Sequence, residues 1–397
     1  MLKITTSNKS VLSAFVFLSV ALGNAGGTLY LPALLQIGSD LHATNSLMKL
    51  TLSVYLASIG LSQLFYGPLS DAFGRRINLL VGVFIFFIGS LIVMFANSPE
   101  ILLIGRIVQG GGIGTANAVG YALLRDIYSG PKLILQLSYL SLFVGITPII
   151  APLFGGYLVT YVGWRACFAL LALIALALVV AKYRCLPETN QTRNLTAHHP
   201  HVILKNYWVL LRNFAFLGYI LAAALGFAGL LTANTMLPFL LIDILKIPPA
   251  VYGWLTVCTG TGFVLGALIS GRVAIRLNLL RTIVLGIVIE LIACIGGIAM
   301  EFQGTSVVAV IMPLTVVLFG IGWIIPTASS GAMGLFPNMA GSAAALLGAA
   351  LFLMASLFTA IGAHINERTA FPLFVSVVGI CLINLLSAQL IRIKNSS

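Results

Sequence analysis

Long apolar runs, broken at intervals by a few polar residues, set the pattern of this chain. A helix needs about 20 apolar residues to cross the hydrocarbon core of a bilayer. Twelve segments reach that length: 11–33, 47–69, 77–96, 101–124, 134–159, 165–184, 214–241, 250–271, 282–300, 306–331, 341–363 and 371–391. The runs are continuously apolar rather than alternating. That predicts helices, whose backbone groups are satisfied within the segment, over the strands of a barrel. The first run follows Lys3 and Lys9 as a secretory signal would, but it extends to Leu31-Pro32-Ala33, too long for a cleaved segment, and counts as a span. The predicted fold class is an all-α membrane protein with twelve transmembrane helices.

Composition narrows the function classes. Hydrophobic residues make up 60% of the 397 positions and charged residues only 8%, against roughly 25% charged in a soluble domain. So few charges exclude a soluble enzyme, a disordered chain and a free nucleic-acid-binding domain. The formal charge of +12 resides in short loops. With the N-terminus inside, sixteen Lys and Arg fall in inside segments and four (Lys49, Arg165, Lys246, Arg368) outside, while Arg106 lies within a span. This asymmetry predicts both termini in the cytoplasm of a bacterium and a multi-pass protein of its inner membrane. The five cysteines lack pairing or metal spacing and no histidine lies mid-span, so neither metal nor cofactor is expected. The motifs H-E-x-x-H, G-x-S-x-G and G-x-x-x-x-G-K-[ST] are absent, so neither an enzyme nor direct drive by ATP is expected.

The longest polar stretch, 185–213, separates an N-terminal six-helix bundle (1–184) from a C-terminal one (214–397) and reads as a solvated cytoplasmic linker. The halves echo each other. Tyr30-Leu31-Pro32-Ala33-Leu34-Leu35 ends span one, and Met236-Leu237-Pro238-Phe239-Leu240-Leu241 ends span seven. Gly67 to Arg76 follows span two, and Gly271 to Arg281 follows span eight. Two pseudo-repeats joined by a linker is an architecture of transporters, with the substrate site at the midplane between them.

Three stretches carry chemistry. In GPLSDAFGRR (67–76), Gly67 and Gly74 permit a tight turn and close helix approach. Asp71 can accept hydrogen bonds from a helix N-terminus, and Arg75 and Arg76 can pair with a carboxylate such as Asp126. Span four reads Gly105-Arg106-Ile107-Val108-Gln109 and then a glycine run. An in-span Arg costs at least ~2.5–3.5 kcal/mol and must face a partner or a wet cavity, or else snorkel outward near Glu100. Span five holds Gly145, Pro148, Pro152, Gly155 and Gly156, a bent helix with a smooth packing face.

These stretches resemble, in turn, the loop motif G-x-L-x-D-x-x-G-R-[RK] of the major facilitator superfamily, its R-x-x-Q-G-x-G pattern, and the antiporter motif of its drug:proton branch. Leu124-Arg125-Asp126-Ile127-Tyr128, Gly163-Trp164-Arg165-Ala166-Cys167-Phe168 and the stretch from Phe336 to Gly348 resemble the Bcr/CflA-type drug-resistance transporters, which export compounds such as bicyclomycin and chloramphenicol. The resemblance covers essentially the whole chain. It implies the major facilitator fold and drug efflux by alternating access in exchange for protons. It makes 67–76 with Asp126 a conformational latch, Arg106 part of ion coupling, and the span-five glycines a leak-proof seam.

One departure weakens the implied coupling. Relatives commonly carry Asp two residues before the Tyr of the Y-L-P-A stretch; here that residue is Thr28, which cannot titrate. Of nine acids only Glu290 lies deep in a span, as either a structural or a coupling group. In this fold spans one, four, seven and ten line the cavity. That makes Asn24, Thr28, Tyr30, Arg106, Gln109, Asn117, Asn234 and Trp323, joined by Tyr55, candidate substrate contacts or interhelical hydrogen bonds. The cavity so described is weakly polar and partly aromatic with one fixed positive charge. It suits amphipathic neutral, zwitterionic or anionic small molecules better than lipophilic cations. Export of an endogenous metabolite such as a siderophore, or uncoupled facilitation, are the alternatives. The expected partners are a small-molecule substrate, protons and the lipid bilayer, with no nucleic acid, and the expected state is a monomer.

Overall fold

A computed structural model describes residues 6–190, 199–336, 339–365 and 368–393. Lys3, and Pro337 of the stretch from Phe336 to Gly348, lie outside the described residues. The described residues form helices and no strand. In chain order the helices are α1 (Thr6–Thr28), α2 (Leu34–Asp40), α3 (Asn45–Phe73), α4 (Arg75–Met94), α5 (Pro99–Ile127), α6 (Gly130–Tyr161), α7 (Arg165–Cys185), α8 (Pro200–Leu211), α9 (Phe214–Pro238), α10 (Pro249–Leu277), α11 (Leu279–Glu301), α12 (Val307–Leu335), α13 (Ala340–Ala363) and α14 (Phe371–Ile393).

Among the described residues, eleven helical stretches are long and apolar enough to cross a membrane. The remaining long helix is α5, whose apolar run is diluted by Arg106, Gln109, Asn117 and six glycines. Its polar face is buried against other helices, which is why a less greasy helix is tolerated there. Polar residues start several helices. Thr44, Ser98, Asn213 and Ser306 each accept the amide of the residue three ahead, at α3, α5, α9 and α12.

The Leu-Pro segments diverge. After Tyr30 the chain tightens into a 3-10 turn at Leu31–Ala33 before α2, whereas after Pro238 it widens into a π-helical turn at Phe239–Ile244. The α3–α4 and α10–α11 joins instead share a backbone turn: Gly74 has φ 102° and ψ 156°, and Asn278 has φ 75° and ψ 165°. The chain alternates direction, so the start of α1, the α3–α4 join and the end of α7 share one face, here the terminal face. The α2–α3, α6–α7 and α13–α14 joins share the far face.

The linker departs from its expectation. Part of it forms α8, with Tyr207 and Leu210 buried and the Tyr207 hydroxyl donating to the Leu64 carbonyl at 3.0 Å. Its apolar residues at 203, 207 and 210 recur at helical spacing, and that amphipathic stripe holds the segment to the helices rather than leaving it in solvent.

Candidate functional site

Arg106 is wholly buried on α5. Its Nη1 donates to the Gly26 carbonyl of α1 at 2.8 Å and to Gln109 Oε1 at 2.6 Å, and its Nε to the Thr51 carbonyl of α3 at 3.4 Å. The guanidinium carbon lies 4.4 Å from the Tyr30 ring centroid and 4.0 Å from that of Tyr55. Among the described residues no carboxylate pairs with it, Glu100 included. Two short hydrogen bonds from a charged group, about 1.5–3 kcal/mol each, are enough to offset an insertion cost of about 2.5–3.5 kcal/mol, and contact with two rings adds to them. Its Nη2 is buried without a hydrogen-bond partner.

The surroundings are fixed in turn. Gln109 Nε2 donates to Ser90 Oγ of α4 at 2.9 Å, the Tyr55 hydroxyl to the Gly23 carbonyl at 2.6 Å, and the Tyr30 hydroxyl bonds Thr51 Oγ1 at 2.9 Å. Gly89 allows this, because a Cβ there would strike the backbone of Gln109. Ser90 was not singled out in the sequence. The Gly89-Ser90 pair, a small residue beside a hydroxyl inside span three, is the signal that marks it.

About two helical turns towards the terminal face lies a small void, lined by Asn24 and Asn117 with Val20, Ile59, Ile113 and Phe352, with room for about one water. Asn24 Nδ2 donates to the Val20 carbonyl and Thr28 Oγ1 to the Asn24 carbonyl, so both side chains bond within α1. Thr28 does not touch Arg106 by any of these bonds. Asn234 is half-buried on α9. Trp323 is not among the residues lining the void; it packs beside Gly286 of α11 and against the Phe319 ring. Glu290 is buried on α11, where Cys381 Sγ of α14 donates to its Oε2 at 2.9 Å and Oε1 has no partner.

The loop at 67–76 forms a dense cluster on the terminal face. Arg75 Nη1 bonds Asp71 Oδ1 at 2.5 Å and Ser70 Oγ at 2.5 Å, and its Nε meets Asp126 Oδ2 at 3.2 Å. Thr189 Oγ1 donates to the same Asp126 oxygen, and Asn190 Nδ2 to the Asp71 carbonyl. Arg76 Nη2 donates to the Tyr183 carbonyl at 2.8 Å. Gly67 packs loosely against Ala345 of α13.

Glu188, absent from the sequence-based site, organises this cluster. Its Oε1 accepts the amide of Arg75 at 2.9 Å and its Oε2 that of Arg76 at 3.3 Å, so a carboxylate closes the positive end of α4. Glycine suits position 74: its φ is positive at 102°, and with no Cβ there the Glu188 carboxylate can close onto the start of α4. Its signal in the sequence is an acid just past a span end, inside the polar stretch 185–213. Asp126 lies on the extension of α5 beyond the apolar span that ends at 124. Burial raises its pKa above the ordinary carboxylate value, against the lowering pull of Arg75 and the Thr189 hydrogen bond.

The span-five motif seams the far face. Gly155 sits against the Leu29 carbonyl, just past the end of α1, and Pro32; Gly156 against the backbone of Pro249 and Ala250 at the start of α10. Gly253 of α10 abuts the Pro152 carbonyl and Leu153, and Gly260 meets Ile149. Gly145 faces the Phe263 ring, and Pro148 is buried within α6. A parallel contact joins α3 to α13, where Ser53 and Thr359 share a hydrogen bond at 2.9 Å, Ser356 donates to the Ser53 carbonyl, and Lys49 Nζ to the Ile365 carbonyl.

Comparison with known proteins agrees with this geometry. The family model described as Major Facilitator Superfamily matches residues 16–387. The chain is 32% identical over 346 residues to Multidrug resistance protein D of Escherichia coli, covering 86% of this chain and 85% of that protein. It is 25% identical to a bicyclomycin resistance protein homolog of Haemophilus influenzae over 93% of both. Its fold is similar to the crystal structure of a D-xylose-proton symporter, with a TM-score of 0.76 at 14% identity, covering 94% of this chain and 96% of that one.

Proposed function

The chain belongs to the major facilitator superfamily, and we propose that it is a secondary transporter that exports small amphipathic compounds, drugs among them, from a bacterial cytoplasm by alternating access in exchange for protons. Its relatives named for multidrug and bicyclomycin resistance support the efflux reading. The terminal face is cytoplasmic in this reading, as the bias of Lys and Arg requires. Residues 1–184 and 214–397 are the two rocking halves of a monomer, and the void between Asn24 and Asn117 is the collapsed centre of the substrate path.

The observation that carries the substrate class is Arg106. The cavity helices α1, α5, α9 and α12 hold no acid within their spans, while one buried guanidinium has an unspent Nη2. A site with these groups favours neutral, zwitterionic or anionic compounds bearing a hydrogen-bond acceptor, and disfavours lipophilic cations. The cluster around Asp71, Arg75, Asp126 and Glu188 lies within the N-terminal side and sets the shape of that half's share of the cytoplasmic latch, with Gly67 against Ala345 as its contact with the other half, and the α6–α10 seam seals the outer side in the state described here. Thr28, bonded within α1, favours a second reading, an uncoupled facilitator.

Proteoliposomes with an imposed pH gradient separate these readings. Wild type is expected to accumulate bicyclomycin against ethidium, and Arg106→Ala to lose that uptake by about tenfold or more, the worth of one charged hydrogen bond. Glu290→Gln, remote from the void, is expected to retain it. Uptake indifferent to the gradient overturns proton exchange, and preference for ethidium overturns the substrate class.

A further inference from the structure

The helix α8 has two apolar faces, and the protein covers only one. Ile203, Tyr207 and Leu210 turn inward, and the helix contacts both α9 and α13 while Tyr207 holds α3. Offset by one residue, Leu204, Trp208 and Leu211 form a second stripe at the spacing of successive turns. Leu204 is 67% exposed and Trp208 59% exposed, values typical of a helix face with nothing against it. The next stripe carries Lys205 and Arg212, both exposed, and the Arg212 guanidinium lies 5.1 Å from the Trp208 ring centroid. No acid occurs between Glu188 and Asp243.

We propose that α8 is an interfacial helix whose Leu204–Trp208–Leu211 stripe lies in the cytoplasmic leaflet while Lys205 and Arg212 bind the phosphates of acidic lipids. Two observations select lipid as the occupant. The stripe runs on into Phe214, which opens the membrane-spanning α9 and is itself 58% exposed, so the apolar surface is continuous with the one the spans present to the bilayer. The charge beside it is purely basic, which complements an acidic headgroup layer. An aromatic ring beside a cation at the membrane boundary fits the same place. Because α8 touches α3, α9 and α13, lipid held there bears on the seam between the two ends of the chain.

The leaflet assignment rests on the orientation given under the proposed function; contact with lipid does not. The test therefore uses nanodiscs of mixed phosphatidylglycerol and phosphatidylcholine, with bromine on the acyl chains of one lipid at a time, which reads contact from either leaflet. The difference between wild type and Trp208→Phe isolates the Trp208 emission from that of the other tryptophans. That emission is expected to be quenched by both lipids, and about twofold more by brominated phosphatidylglycerol, a preference lost in Lys205→Gln/Arg212→Gln and at high salt. Emission quenched by aqueous iodide but by neither lipid overturns the proposal, as does emission that changes only with protein concentration, which marks a second copy. Equal quenching by the two lipids at low salt overturns the acidic-lipid assignment. Labelling of residues 67–76 in intact cells tests the orientation separately.

Discussion

At the scale of single residues the chain handles its charges differently inside and outside the membrane. Arg106 is neutralised by carbonyls and rings, whereas Arg75 is neutralised by carboxylates on the terminal face. That difference gives Asp126 a measurable signature. Its raised pKa means that the native protein binds this proton more tightly than the unfolded chain does. The ionised form therefore costs the native state stability at neutral pH. The cost is relieved as pH falls through the raised value and stops changing below the unfolded value, near ~3.9. Asp126→Asn mimics the protonated acid at every pH. In detergent melts, the wild-type Tm minus the variant Tm is expected to increase as pH is lowered from about 7 to about 4; a constant difference contradicts the assignment. Much of this cluster could be read in the sequence, because Gly74, Arg75 and Arg76 are contiguous and Asp126 ends a span. The surroundings of Arg106 could not. Its acceptors are main-chain carbonyls of Gly26 and Thr51 on two other helices, and a carbonyl looks the same under every residue name.

Among the helices, α6 and α10 meet through glycine, and at Gly156 and Gly253 the partner's backbone fills the place of a side chain. A Cβ at Gly156 runs into the Pro249 carbonyl and Ala250 Cα, neither of which can rotate away. Gly156→Val is therefore expected to cost about 1–3 kcal/mol of overpacking and to abolish transport by wedging the far-face seam apart. Gly379→Val on α14, where nothing lies within 4 Å, supplies the control and should leave both Tm and transport unchanged. Equal effects at the two sites would show that the seam has no special role. Span five was legible as a smooth, proline-bent helix, but not its partner, since the sequence does not reveal which helix stands opposite. The case of α8 is the reverse: its 12 residues are too few to register as a span and its flanking His, Pro and Asn residues resemble a loop, so the short apolar stripe at 203, 207 and 210 gains its meaning from contact with α3 and α13.

For the molecule as a whole, a buried central void, a sealed far face and a charged cluster on the opposite face describe one end of a two-state cycle. If the halves rock about the void, the far-face seam must part once per cycle, while contacts inside one half persist. The ring nitrogen of Trp254 on α10 donates to the Tyr157 hydroxyl on α6 at 3.1 Å, on the outer stretch of that seam. Tyr157 is 40% and Trp254 53% exposed, so cysteines there leave the buried glycine contacts of the seam in place. With the five native cysteines replaced by serine, the pair Tyr157→Cys/Trp254→Cys is expected to be joined by a bifunctional methanethiosulfonate reagent, which spans the gap the two long side chains fill, to lose transport while linked, and to regain it with reductant. A second pair, Ala222→Cys/Asn384→Cys, joins α9 to α14 within one half, where the Asn384 amide reaches the Ala222 carbonyl at 3.4 Å. Linking that pair should leave transport intact, because rigid-body rocking does not change distances inside a half. Transport that survives the seam cross-link would mean that the far face never opens there, and that substrate takes a path other than the one between the halves.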